Sequence, residues 1–337
     1  MELSNARVLV ISDGRAGHVS QSLGITTALG FPDPEIIQPQ GTYPQRWLGW
    51  LPLGMLYRNL PDLVAASAQA DLLVGTGGGP SRVLRYLKKT DPRLFTVAVM
   101  RPKGRLGDYD VVTTPQHDRP GNAPNLITTL GNVNPITAEK LALEGQRWAK
   151  RLGHLRGFKL ALLVGGPSKH GGLQQPQEIE ALVRAVTNAL KAQHSNGAAL
   201  LVTTSARTSG ALVAALETAL EEAEVPFYLW QPGNPSARDN PYFAYLYHAQ
   251  AVVVTADSTS MVSEACTSGK PTYVWGSPAT LPGKFSRLYA SLVKQGRLKW
   301  WDGKLDLRPP AAPLLDTMLV AGFIRARWAK RFGNAAQ

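Results

Sequence analysis

The segment Ser12-Asp13-Gly14-Arg15-Ala16-Gly17-His18 places a carboxylate and an imidazole five residues apart on a turn with two glycines. Imidazole is the side chain best suited to take a proton at neutral pH. His18 is therefore the candidate base for deprotonating an acceptor hydroxyl, and Asp13 is either an alternative base, the group that orients His18, or an ordinary helix cap. Three further turns repeat the theme: Gly75-Thr76-Gly77-Gly78-Gly79-Pro80-Ser81, Gly165-Gly166-Pro167-Ser168 and Thr255-Ala256-Asp257-Ser258-Thr259-Ser260-Met261. Glycine lets a backbone approach a phosphate closely, and backbone N–H groups at a helix start favour anions. The chemistry these turns suit is the handling of a phosphorylated ligand. None is a Walker A loop, and Gly14-x-x-Gly17 is not the dinucleotide fingerprint, so neither a P-loop kinase nor an ordinary NAD dehydrogenase is indicated.

Each turn follows a short apolar run, and such runs alternate with helix-length amphipathic segments, the grammar of βαβ units. Strands are expected near 7–12, 71–76, 94–100, 110–114 and 126–129, with a weaker one at 35–38. A second set is expected near 158–164, 198–203, 226–230, 251–255 and 272–275. Helices are expected near 19–29, 60–70, 81–89, 177–193, 209–223, 242–248, 260–267 and 314–332. The expected fold class is α/β, with two Rossmann-like, doubly wound parallel-sheet domains expected to face a cleft. The basic segment 138–157 suggests a domain link, giving domains over 1–148 and 149–312 and a C-terminal helix over 313–337 that packs back on the first domain or presents a solvated face. In such sheets ligands bind beyond the carboxyl ends of the strands, where all four turns lie.

Composition narrows the class. Lys and Arg number 36 against 24 Asp and Glu, a formal +12, which favours an anionic partner. Between Lys284 and Arg331 there are eleven basic and three acidic side chains, so the excess is concentrated late in the chain. Nucleic acid is not the expected partner, because no aromatic platform or reading motif accompanies this charge. The single cysteine, Cys266, excludes an internal disulfide framework and fits a reducing, cytoplasmic setting. No signal peptide is expected ahead of the first strand, and the longest membrane-like run, Trp47 to Tyr57, is interrupted by Pro52 and too short to span. The cluster Trp47, Leu48, Trp50, Leu51, Leu53, Met55 and Leu56, between Arg46 and Arg58, is either a membrane-surface patch or part of the first core. Arg325, Arg327, Lys330 and Arg331 would add attraction to the inner face of an anionic membrane. His117, His154, His170, His194 and His248 show no ligand spacing, so no metal is expected.

The order and content of the four turns resemble the two-domain glycosyltransferases of the GT-B type, and among them the MurG-like group. Asp13 to Val19 looks like that group's first glycine loop, Gly77 to Ser81 its second, and Gly165 to Ser168 the opening of its nucleotide-binding domain. Asp257-Ser258-Thr259-Ser260-Met261-Val262-Ser263-Glu264-Ala265 followed by Gly269-Lys270-Pro271 resembles the donor-binding helix with its ribose-binding glutamate, here Glu264. At a finer level, Ser12 to His18 and Thr203-Thr204-Ser205-Ala206-Arg207-Thr208 are similar to hallmarks of the plant mitochondrial fission (elongated mitochondria) family. That family's plant role is adaptor-like, while its bacterial branch is regarded as glycosyltransferases.

The resemblance implies a nucleotide-sugar donor, which is a substrate and not a cofactor, and a glycan or lipid-linked acceptor. Gly14 and Gly17 would line the acceptor side. On the donor side, Gly166, Ser168, Ser258, Ser260 and Met261 would meet the diphosphate at a helix start. Arg207, beside Thr208, would clamp it in a bidentate contact of roughly 1.5–3 kcal/mol, and Asp257 opens the motif that carries Ser258, Ser260 and Glu264. The expected activity is metal-independent sugar transfer with His18 as base. The alternatives are an epimerase on the same scaffold, which needs no acceptor, and a non-catalytic membrane-surface adaptor, which binds no nucleotide.

Overall fold

The computed structural model describes residues 1–41, 53–102, 104–168, 172–193, 197–233, 239–281, 283–308, 310 and 312–333. The chain forms two compact units, Met1–Pro135 with Leu315–Gln337, and Ile136–Leu314.

The first unit contains β1 (Val8–Ile11), β2 (Glu35–Ile37), β3 (Leu72–Thr76), β4 (Phe95–Val99), β5 (Val111–Pro115) and β6 (Leu126–Thr129), with α1 (Ala16–Leu29), α2 (Leu53–Leu56), α3 (Leu60–Ser67) and α4 (Gly78–Thr90). All six strands pair in parallel, in the order β2-β1-β3-β4-β5-β6. Their near-continuous apolar runs are what a parallel sheet covered on both faces requires. Alternate residues serve opposite layers. Leu9, Ile11 and Leu73 pack with Leu63, Leu84 and Leu87, whereas Val10, Val74 and Val97 pack with Ile25, Ile324 and Trp328.

The second unit contains α5 (Ala138–Leu152), β7 (Phe158–Val164), α6 (Pro176–Gln193), β8 (Ala198–Thr204), α7 (Gly210–Glu222), β9 (Phe227–Trp230), α8 (Tyr242–His248), β10 (Ala251–Thr255), α9 (Thr259–Thr267), β11 (Thr272–Trp275), α10 (Gly283–Lys294) and β12 (Lys299–Trp300). Its parallel order β12-β11-β10-β7-β8-β9 is the Rossmann order. The chain reverses its direction of travel across the sheet between β7 and β10, and in the first unit between β1 and β3. The four turns are the segments that leave these four strands.

The division between units falls at Pro135–Ile136, ahead of the expected boundary at 148/149, which lies inside α5. Helix α5 packs on α8, burying Leu141, Trp148 and Leu152. Gly145 permits this approach: a Cβ there would lie 2.1 Å from the Tyr247 ring, and the Gly145 carbonyl accepts a hydrogen bond from His248 Nε2 at 2.9 Å. At the other end the last helix, α11 (Asp316–Phe332), packs in the first unit against α1. Buried Asp316 accepts the N–H groups of Leu130 and Gly131 at 3.1 and 2.8 Å, and Thr317 exchanges hydrogen bonds with the Asn134 backbone. Arg331 meets the Asp110 carboxylate and the carbonyls of Pro92, Arg93 and Leu94.

Two of the basic side chains considered for membrane attraction are thus turned to the first unit itself, since Arg325 also donates to the Ala28 carbonyl at 2.6 Å. In the apolar cluster, Leu56 is buried and Met55 is exposed, while Arg46, Trp47, Leu48, Trp50 and Leu51 lie outside the described residues, as do His170 and His194. Among the described residues, no helix is long and apolar enough to cross a membrane.

Removing the Arg331 guanidinium leaves Asp110 with Lys88 at 2.8 Å and the Thr96 N–H and hydroxyl, and takes one donor from each of three carbonyls, of which that of Leu94 keeps Lys88. Arg331→Ala is expected to destabilise the first unit by about 1–3 kcal/mol. Thermal unfolding measures this, and an unchanged Tm would show that α11 is not anchored there.

Candidate functional site

In the first unit, α1 begins at Ala16, earlier than expected, so Gly17 and His18 stand in its first turn. Gly14 adopts φ +76°, the left-handed region that favours glycine, and its N–H donates to Ser12 Oγ at 3.1 Å. This bend brings Asp13 back onto the helix. His18 Nδ1 lies 3.0 Å from both Asp13 oxygens. A carboxylate accepts, so Nδ1 carries the hydrogen and Nε2 is left as the basic nitrogen.

Burial raises the Asp13 carboxyl, but the hydrogen bond and charge of His18, with the Arg15 backbone N–H and charge, outweigh it and hold the group below its ordinary value. Asp13 thus has the geometry of an orienting group. The His18 ring lies over Gly77, where a Cβ would come within 2.8 Å of His18 Cε1. Gly77 also precedes α4, so the second glycine turn is largely the start of a helix. Neither α1 nor α4 has a side-chain N-cap. Two helix starts without such caps therefore flank the Asp13–His18 pair at the β1/β3 reversal.

The second unit is built differently. Asp257 follows β10 with its side chain fully buried. Its carboxylate accepts Arg207 Nη2 at 2.7 Å, the Gly166 N–H at 3.2 Å and Thr255 Oγ1 at 2.7 Å. Arg207 Nη1 donates to the carbonyls of Gly166 and Pro167 at 2.8 and 3.3 Å, and Thr208 Oγ1 to that of Gly165 at 3.0 Å. The loops after β7, β8 and β10 are thereby laced together. Glycine is obligatory at this junction: a Cβ on Gly165 would stand 2.2 Å from the Asp257 carboxylate, and one on Gly166 would stand 2.5 Å from the Arg207 backbone.

Both Nη atoms of Arg207 donate to Asp257 or to backbone carbonyls, so the guanidinium latches these loops together. The Ser258 hydroxyl caps α9 by accepting the Met261 N–H at 3.4 Å. That bond covers one of the N–H groups expected to face a phosphate. Ser260 lies in the first turn of α9, and Ser168 in the loop beyond Gly166.

Glu264, farther along α9, is 8% exposed and accepts the Tyr242 hydroxyl at 2.8 Å. Burial, followed by the charge and hydrogen bond of Glu264, pushes the Tyr242 hydroxyl well above its ordinary value, so it remains a donor. Tyr242 was absent from the expected set, because it lies on a different helix 22 residues away.

A cavity of about 490 Å³ opens beside this junction, at the carboxyl ends of β10 and β11. Trp275 and Trp301 line it with Leu173, Ser277, Thr280 and Asp257. The reversal explains the space, for α6 leaves β7 toward β8 while α9 leaves β10 toward β11. The Trp300-Trp301 pair was a sequence signal for an aromatic wall, but only the pairing of β11 with β12 gives it a place. Among the described residues, no group of three or more His, Cys, Asp or Glu side chains could hold a metal ion.

By structure, a glycosyltransferase from Rickettsia africae overlays 97% of this chain and 94% of its own, with a TM-score of 0.43 and 10% identity. Spinosyn forosaminyltransferase SpnP overlays 96% of this chain and 94% of its own, with a TM-score of 0.46 and 14% identity. By sequence, the mitochondrial fission protein ELM1 of Arabidopsis thaliana is 24% identical over 403 residues, covering 96% of this chain and 92% of that protein. An uncharacterized protein, RP120, of Rickettsia prowazekii is 24% identical over 322 residues, covering 86% and 88% respectively. Residues 16–328 match the family described as Mitochondrial fission ELM1, and with a match across that much of its length the chain belongs to this family.

Proposed function

We propose that this chain transfers a sugar from a nucleotide-sugar donor to an acceptor hydroxyl. The observation that carries the reading is the Asp13–His18 pair, held over Gly77 at the reversal point of a parallel sheet. His18 Nε2 takes the acceptor proton as the new C–O bond forms at the anomeric carbon. The bond to the diphosphate oxygen breaks, and the nucleoside diphosphate leaves with the electron pair. Asp13, held in its ionised form, orients the ring and stabilises the imidazolium that results.

The second unit takes the donor in this reading. Glu264, steadied by Tyr242, receives the ribose hydroxyls, and the first turn of α9 meets the diphosphate. The cavity lined by Trp275 and Trp301 supplies an aromatic wall for the planar or apolar part of the donor. Gly14, Gly17, Gly166, Ser168, Ser260 and Met261 keep the binding roles assigned to their loops, while Arg207, Thr208 and Asp257 hold those loops in place. A glycan or lipid-linked acceptor, and work at the inner face of the cytoplasmic membrane, belong to the same proposal.

A second, non-catalytic reading is favoured by one observation: Arg207, Thr208, Asp257 and the Gly165–Gly166 backbone satisfy one another. An adaptor of this fold would bind no nucleotide. Calorimetric titration with UDP, GDP and CMP separates the two readings, since an adaptor gives no binding heat with any of them.

His18→Ala is expected to lower turnover by roughly 10²- to 10⁴-fold with donor binding retained. Normal turnover in that variant, with a verified donor and acceptor, would remove the base assignment. Glu264→Ala should weaken donor binding at least tenfold while changing turnover at saturation little, a split read from KM and kcat. Arg207→Ala strands a buried carboxylate, and a loss of about 3 kcal/mol in the stability of the second unit is expected from denaturant unfolding.

A further inference from the structure

The opposite edge of the second sheet, where β11 and β12 begin, holds a separate cavity of about 350 Å³. Arg297, Lys299, Arg308 and Asp306 line it, together with Thr272 and Tyr273. Three cations therefore face one carboxylate. Asp306 accepts Arg308 Nε at 2.9 Å and Lys299 Nζ at 2.5 Å, and these bonds, Arg308's first, hold its carboxyl far below the ordinary value. The carboxylate stays charged and offsets one cation, so two positive charges are left over.

Arg297 is the fixed member of the group. Its backbone N–H donates to the Leu292 carbonyl at 2.9 Å, and its own carbonyl accepts from Cys266 Sγ at 3.6 Å. Its Nη1 reaches the Pro313 carbonyl at 3.4 Å, and its Nε is buried with no hydrogen-bond partner among the described residues. The Nε side of the guanidinium is thus closed to a ligand, and its Nη edge is the part open to one. A guanidinium fork presents donors spaced for a tetrahedral oxyanion. The two unmatched charges equal those of a phosphomonoester, which carries about −1.5 to −2 at neutral pH. The cavity is also larger than a bare phosphate, leaving room for the group that the phosphate is attached to.

We propose that this cavity is a binding site for a phosphomonoester, with Arg297 as its anchor and Lys299 and Arg308 as its rim. The site stands at the amino ends of β11 and β12, away from the loops that leave β7 and β10, and it does not depend on the sugar-transfer reading. The phosphate can belong to a small soluble molecule or to a lipid headgroup, since the recognising chemistry is the same.

The test uses the full chain, with inorganic phosphate, glycerol 3-phosphate and vesicles of phosphatidylcholine with or without phosphatidic acid as probes. At ten times its Kd, glycerol 3-phosphate should raise Tm by roughly 3 to 6 °C over sodium chloride of equal ionic strength. Lys299→Ala with Arg308→Ala should weaken binding at least tenfold, and Arg297→Gln should abolish it. If Arg297→Gln fails to fold, the rim double variant, which leaves the Arg297 contacts intact, still decides the matter. Flotation with phosphatidic acid vesicles that is lost in the rim variant identifies a headgroup. Binding of glycerol 3-phosphate without flotation identifies a soluble ligand. A shift that survives in the rim variant, or one matched by sodium chloride, overturns the proposal.

Discussion

Asp257 brings a carboxylate to a position where its side chain has no contact with solvent, and the functional edge of the second unit is arranged around that burden. A charge withdrawn from water must be matched by opposite charge and hydrogen bonds. Here the matching groups come from three strands that are far apart in sequence. Gly166 follows β7, Arg207 follows β8, and Thr255 ends β10. Gly165 and Gly166 have no side chain because the carboxylate and the Arg207 backbone occupy that space. The cavity beside Trp275 and Trp301 thus has one rigid wall, set before any ligand arrives.

The two units share a sheet grammar and differ in how they finish the helices at their reversal points. In the second unit, Ser258 caps α9, and at the start of α6 Glu178 accepts the N–H groups of Gln174 and Gln175. In the first, α1 and α4 start without side-chain caps, and an ordered Asp–His pair lies between them. The second unit therefore offers a pre-formed frame, and the first offers backbone donors and a basic nitrogen. That difference is the reason for assigning proton transfer to His18 and donor holding to the other sheet.

Most strands were legible because a parallel sheet buried on both faces writes itself as short apolar runs, as in Leu72–Thr76 and Ala251–Thr255. β12 has only two residues and no pattern to read, and α10 follows a stretch rich in proline and glycine without a side-chain cap signal. The start of α1 was misplaced because Arg15 is no conventional cap, so Gly17 reads as loop. In the candidate site, the proximity of Asp13 and His18 was readable, since five residues on a bend suffice. The tie between Arg207 and Asp257 was not, because fifty residues separate them and only the adjacency of β7 to both β8 and β10 brings them together. Tyr242 was hidden for the same reason, its partner Glu264 lying across a strand on the next helix.

The placement of α11 makes the first unit discontinuous: everything from Ile136 to Leu314 is an insertion between its sheet and its last helix. Val10, Phe95 and Val97 receive Val320, Ile324 and Trp328 as part of their cover only after the inserted unit has been made. During ribosomal synthesis the usual order, amino-terminal domain first, is therefore inverted. The inserted unit has all its strands before the opening one acquires its last helix, and the nascent sheet must wait, with the face that α1 only partly covers still open, until α11 has been made.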